Sequence, residues 1–222
     1  MSKNIIDHYI NTNDTFGYSV AISGGRAIVS AKNEYDADGT DSGKAYIYNV
    51  TSGLLVHTLD NPNPVDTSQN DWFGNSVAIS GDYAIVSALQ EDDSDGTNSG
   101  KAYIFNVVTG VLVHILDNPN PFGTSAHDRF GWSVAISGDY AIVGAYSEDD
   151  SDGTNSGKAY IYNVTTGTLV HTLDNPNPYS TSADDSFGRR VAISGGRAIV
   201  GATGEDDSGG TTSGKAYIFQ AV

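Results

Sequence analysis

Short runs of apolar residues, four to six long and punctuated by Gly, Asn and Asp, fill the chain from end to end. Around its middle, Ser133-Val134-Ala135-Ile136-Ser137 is one such run and predicts a strand. Gly138-Asp139 follows, a pair suited to a tight hairpin turn. The next run, Tyr140 to Ala145, is apolar on both faces, as a strand covered on both sides must be. After a polar, acidic segment from Glu148 to Gly157 come a third strand, Lys158 to Tyr162, and a turn at Asn163 to Gly167. A fourth strand, Leu169 to Leu173, ends at Asp174-Asn175-Pro176-Asn177-Pro178. No segment sustains a 3.6-residue period, so the pattern predicts essentially no helix.

This arrangement recurs. Phe-Gly stands at Phe16, Phe73, Phe130 and Phe187, each 57 residues after the last, and Gly-Lys-Ala-Tyr-Ile keeps the same step with Lys44, Lys101, Lys158 and Lys215. Units 73–129 and 130–186 are identical at 45 of 57 positions. Four-stranded units of this size that bury both faces stack radially as propeller blades. A linear array would need end units with polar outer faces, and the end units here look like the inner ones. The last unit, from Phe187, lacks a fourth apolar run, while residues 5–10 carry a spare one. There Ile6-Asp7-His8-Tyr9-Ile10 repeats the Leu-x-His-x-Leu of residues 55–59, 112–116 and 169–173. The chain is therefore expected to be all-β: a single domain over 1–222, a β-propeller of four four-stranded antiparallel blades in a 57-residue repeat. The units are about 16–72, 73–129, 130–186 and 187–222, and strand 5–10 completes the last blade and closes the ring. A monomer is expected; the alternative is that strand 5–10 pairs with another copy, giving a dimeric eight-bladed ring.

Phe73-Gly74 followed by Ser76-Val77-Ala78, together with Ile142-Val143-Gly144-Ala145 and the Gly-Lys-Ala-Tyr-Ile strand, resembles the FG-GAP repeats of integrin-α-like β-propellers. The resemblance implies a binding or adhesion module at an extracellular or cell-surface location. Two departures stand out. The family's Gly-Ala-Pro element has no proline here, reading Ser30-Ala31-Lys32 or Gly144-Ala145-Tyr146. The family's calcium loop joins the first and second strands, a connection reduced here to Ser80-Gly81-Asp82-Tyr83 and its equivalents. The family's metal ligands thus have no counterparts to carry over.

Composition narrows the partners. There are 27 acidic and 11 basic residues, a net charge of −16, which repels phosphate backbones and argues against nucleic acid. The absence of Cys excludes disulfides and thiol chemistry. No apolar run reaches the length of a membrane span, so no membrane insertion is expected. The first residues, Met1 to His8, lack the apolar stretch of a signal peptide.

The four glutamates, Glu34, Glu91, Glu148 and Glu205, are spaced by the repeat, and each opens an acidic loop. Glu34, Asp36 and Asp38, then Glu91, Asp93 and Asp95, then Glu148, Asp150 and Asp152 place carboxylates at alternate positions before a glycine, as calcium loops do. Neither an Asp at the first position nor a bidentate Glu at the twelfth is present, and a solvated turn accounts for the pattern equally. Calcium is the only cofactor suggested. Strand alternation puts these loops on the same face as the blade-to-blade crossovers and the residues flanking Phe-Gly. Those flanks vary among otherwise similar units, and Tyr18, Trp72, Arg129, Trp132 and Arg189 among them are candidate ligand-binding residues. The alternative is that the aromatics fill space at blade junctions.

His8, His57, His114 and His171 sit at equivalent positions on outermost strands, too far apart to share a metal, and are read as hydrogen-bonded between blades. The Phe-Gly phenylalanines are read as packing wedges and the third-strand lysines as local charge partners. Neither a nucleophile elbow, a phosphate loop nor a zincin motif is present. The expectation is a non-catalytic module that binds a protein or glycan ligand through an acidic, aromatic-rimmed face. A ligand-free structural or engineered scaffold is the alternative, and a glycan-acting hydrolase the third.

Overall fold

The computed structural model describes residues 12–35, 39–62, 68–94, 96–119, 123–151, 153–176, 182–208 and 210–221. Its strands form four antiparallel sheets, each in simple sequential order. The first holds β1 (Val20–Ser23), β2 (Arg26–Ala31), β3 (Lys44–Asn49) and β4 (Leu55–Asp60). The second holds β5 (Phe73–Ser80), β6 (Tyr83–Ala88), β7 (Lys101–Asn106) and β8 (Leu112–Asp117). The third holds β9 (Phe130–Ser137), β10 (Tyr140–Ala145), β11 (Lys158–Asn163) and β12 (Leu169–Asp174). The fourth has three described strands, β13 (Phe187–Ser194), β14 (Arg197–Ala202) and β15 (Lys215–Gln220). The all-β, four-unit propeller architecture expected from the sequence is what the chain adopts. Among the described residues no helix is long and apolar enough to cross a membrane.

Alternation along the middle strands decides the packing, because each sheet must be apolar on both faces. Ile28, Ile47 and Leu59 of the first sheet bury against Val77, Val86, Tyr103 and Phe105 of the second. Ile85, Ile104 and Leu116 repeat this against Val134, Val143, Tyr160 and Tyr162 of the third. Ile142, Ile161 and Leu173 meet Ile193, Val200, Tyr217 and Phe219 of the fourth. Every sheet thus has a leading face, turned to the next blade, and a trailing face, turned to the one before. The first strands β1, β5, β9 and β13 contact one another in succession and form the inner side.

The Phe-Gly pair locks each junction. Phe73 is wholly buried, with its ring centroid 5.9 Å from Tyr103 and 6.1 Å from Phe105. Gly74, at φ +91°, lies so near the preceding blade that a Cβ would come within 2.7 Å of Ser30 Cβ and 2.9 Å of the Lys44 carbonyl. On the outside, His57 Nε2 hydrogen-bonds the Val108 carbonyl of the next blade at 3.0 Å, and His114 does the same to Thr165 at 3.0 Å. For these two histidines the bond between blades is as expected, while His8 lies outside the described residues. The lysines pair with the ends of the fourth strands, Lys44 with Asp60, Lys101 with Asp117 and Lys158 with Asp174. Only Lys215, whose sheet shows no fourth strand among the described residues, turns to a loop glutamate, Glu205, at 2.9 Å.

The closing strand expected at 5–10 lies outside the described residues. Across the described ones the first and last sheets do not cover one another: Val20 and Ile22 of β1, and Ile199 and Ile218 of β14 and β15, are exposed.

Candidate functional site

The acidic loops are built from their buried necks outward. The carboxylates of Glu34, Glu91 and Glu148 lie beneath the loops and are almost completely buried. Each accepts the hydroxyl of the tyrosine twelve residues on, Tyr46, Tyr103 and Tyr160, which lies 2.6–2.7 Å from both carboxylate oxygens. Burial pushes the Glu91 and Glu148 carboxyls up to about 8, against the downward pull of the tyrosine bond. Burial likewise drives Tyr103 and Tyr160 far above the ordinary phenol value, helped by the adjacent glutamates. In the fourth unit Tyr217 and Lys215 both donate to Glu205 Oε1.

The glutamates expected to open a ligand loop are therefore turned inward, away from the loop surface. Their backbone carbonyls also close the loop, each accepting the glycine amide nine residues on, as in Gly100 N to Glu91 O at 2.9 Å. Of the aspartates, Asp36, Asp38, Asp95 and Asp152 lie outside the described residues. Asp93 accepts Ser125 Oγ at 3.0 Å and the Gly96 amide at 2.8 Å, while Asp150 accepts the Gly153 amide at 3.0 Å. Among the described residues no three His, Asp or Glu side chains form a metal-holding cluster.

The residues after Phe-Gly are positioned by a bulge. In the third sheet Gly144 pairs with Ser133 but its neighbour Ala145 pairs with Phe130, so Gly131 and Trp132 have no partner residues. In the fourth sheet Gly188 and Arg189 are extruded in the same way between Phe187 and Arg190, and the second sheet is irregular between Phe73 and Val77. Bulges of this kind re-aim side chains away from a ladder. A serine beside the bulge fixes the next blade: Ser19, Ser76 and Ser133 Oγ accept the amides of Val77, Val134 and Val191 at 3.1–3.2 Å. Arg190 holds the serine's place in the fourth unit.

Together these bulges make one depression of about 250 Å³ at the inner side, lined by Tyr18, Asn75, Trp132, Arg190 and the three serines. Trp132 stacks edge-on against Tyr146 with centroids 4.8 Å apart. The guanidinium of Arg189 lies 5.3 Å from the Tyr146 ring and 5.8 Å from that of Trp132, and Arg190 lies 6.0 Å from Trp132. The indole Nε1 of Trp132 has no hydrogen-bond partner among the described residues. Between the first two units Lys32 Nζ sits over both Tyr18 and Trp72, 4.2 and 4.0 Å from their centroids. Trp72 faces outward from there into an open groove of about 750 Å³, with Asp41, Asn70, Gln90, Asp92 and Asn98.

Of the sequence candidates, Tyr18 and Trp132 line the inner depression, Arg189 lies against the Trp132 and Tyr146 rings, and Trp72 reaches Tyr18 through Lys32. Arg129 stands apart at the second junction and makes no ring contact among the described residues. Trp72 and Arg129 both have positive φ, 56° and 58°, as do Thr15 and Ser186 at the same repeat position. Sequence reading missed Lys32, Tyr146 and Arg190. Their signal was available: 32, 89, 146 and 203 read Lys, Leu, Tyr and Thr, and 190 breaks a column of serines.

Sequential antiparallel sheets, with variable side chains extruded at the inner side of the junctions, define a β-propeller. The FG-GAP repeat model matches four times, over residues 5–48, 63–105, 122–162 and 178–219. These matches span most of the sequence, and the chain belongs to the FG-GAP repeat family. No curated protein matches it.

Proposed function

We propose that the chain is a non-catalytic binding module whose site is the inner depression, with the acidic loops as its surround. The observation that carries this reading is that four near-identical units contribute four different residues, Tyr18, Asn75, Trp132 and Arg190, to one cavity. Packing alone would favour the same residue four times. Arg189, Arg190 and Lys32 concentrate positive charge on aromatic faces in a chain of net charge −16. That combination suits a ligand with a flat apolar face and an anionic group. The cavity is smaller than a drug-sized pocket and admits one ring or one side chain, for which an acidic sugar residue is the best chemical match. A protein ligand offering a carboxylate would engage the same groups. The family resemblance supports an extracellular or cell-surface setting.

The test is a glycan array that includes uronic and sialic acids, probed with the wild type, Trp132→Ala and Arg190→Ala. Binding of acidic glycans by the wild type, reduced at least tenfold in both variants with melting temperature unchanged, is expected. Glycan binding that both variants retain would overturn the site, and a blank array would direct the search to acidic protein ligands.

A further inference from the structure

We infer that the open ends of the four-unit arc are two halves of one interface, and that a second copy of this chain covers both. On the trailing face of the first sheet Val20 is 64% and Ile22 72% exposed. Their repeats Val77 and Ile79, Val134 and Ile136, and Ile193 are all buried under the preceding blade. On the leading face of the last sheet Ile199 is 42% and Ile218 70% exposed. Their repeats Ile28 and Ile47, Ile85 and Ile104, and Ile142 and Ile161 are completely buried. The bare residues at one end are thus the ones that, within the chain, bury those at the other end three times over. Each end continues an interface already built.

Among the described residues the first and last sheets leave these two faces bare. Propeller rings run from four to about eight blades, and identical chains fill a ring only in whole numbers. Two copies make eight. A two-fold axis then places the leading face of each copy on the trailing face of the other, and both ends are covered at once. Cyclic dimers are the commonest closed assembly. At the fourth junction Arg190 stands in the serine's place and cannot accept the amide that Ser19, Ser76 and Ser133 accept. The seam between copies is therefore less tightly bonded than the junctions within a copy.

Size-exclusion chromatography with light scattering tests this directly. The wild type is expected at twice its 23.3 kDa chain mass, and Ile199→Glu/Ile218→Glu and Val20→Glu/Ile22→Glu each at the single mass with unchanged circular dichroism. Mixing the two variants leaves one native seam in a heterodimer, so partial return of the double mass is expected. Arg190→Ser should lower the concentration at which the wild type dissociates. A wild type of single mass overturns the proposal whatever the variants do, as does a ladder of higher masses. A dimer that survives both charged pairs would place the interface elsewhere.

Discussion

Glu91 and Glu148 look in the sequence like the first residues of acidic, surface-facing loops; in the fold they are among its most buried groups. Their raised proton affinity has a consequence for stability whose sign follows from linkage. An unfolded glutamate releases its proton near 4.5 and these release theirs near 8. The folded state therefore holds extra protons between those values. Their stabilisation is complete below about pH 4.5 and is lost as pH rises through about 8. Unfolding free energy should fall between pH 5 and pH 8, by on the order of a few kcal/mol over both sites. Glu91→Gln/Glu148→Gln, which keeps a carbonyl for each tyrosine, should flatten that decline. Urea titrations at the two pH values measure it, and a wild type with no decline would mean that both carboxylates are ionised in the fold. The spacing of the glutamates was legible in the sequence, but their partners were not. Tyr103 lies two strands' length away in a motif that reads equally well as core, and only the fold brings hydroxyl and carboxylate together.

At the scale of the element, the Phe-Gly bulge does most to join fold to site. It was readable as a repeat and as a close approach, yet not as the device that extrudes the following residue, because a bulge depends on the partner strand's register. The wedge itself tolerates little change. Gly131 has φ +92°, and a Cβ there would come within 2.7 Å of Ser87 Cβ and 3.0 Å of the Lys101 carbonyl. Gly131→Ala should cost about 2–4 kcal/mol by backbone strain and displacement of the second blade. Its neighbour Trp132→Ala should cost far less, since that side chain lies outside the ladder. Chemical denaturation of the pair checks the contrast; equal losses would make Trp132 a packing residue. Strand order and face alternation, by comparison, followed from the hydrophobic pattern almost residue for residue, since both faces of each middle strand had to be covered.

For the whole molecule, stability in a repeat array is a sum of unit terms and nearest-neighbour interfaces. The second and third sheets have two covered faces, the first and fourth only one each among the described residues. Hydrogen exchange on diluted protein should show protection greatest across β5 to β12 and lower in β13 to β15, where Ile218 and Ile199 are bare. Raising the protein concentration should lift the protection of the end sheets alone if a second copy covers them. Uniform protection at every concentration would mean that the ends are covered within one chain. Sequence logic anticipated four blades and a need to cover the ends. It could not fix blade spacing, which is set by side-chain bulk at three interfaces rather than by any motif.

The neck beneath each acidic loop carries a further implication for how such chains change over time. The glutamate carbonyl, the glutamate carboxylate and the serine hydroxyl eight residues on, as in Ser99 Oγ to Glu91 O at 3.2 Å, fasten both ends of the loop to the blade. What lies between meets the crossover to the next blade, where the His127 amide donates to the Thr97 carbonyl at 2.9 Å and Ser125 Oγ to Asp93 at 3.0 Å, and lengthening a loop raises its closure cost only slowly. Exchanges at loop positions outside those bonds are therefore the ones that folding tolerates. Each unit is a socket of fixed shape with an interchangeable tip, so new surface chemistry can be acquired one blade at a time.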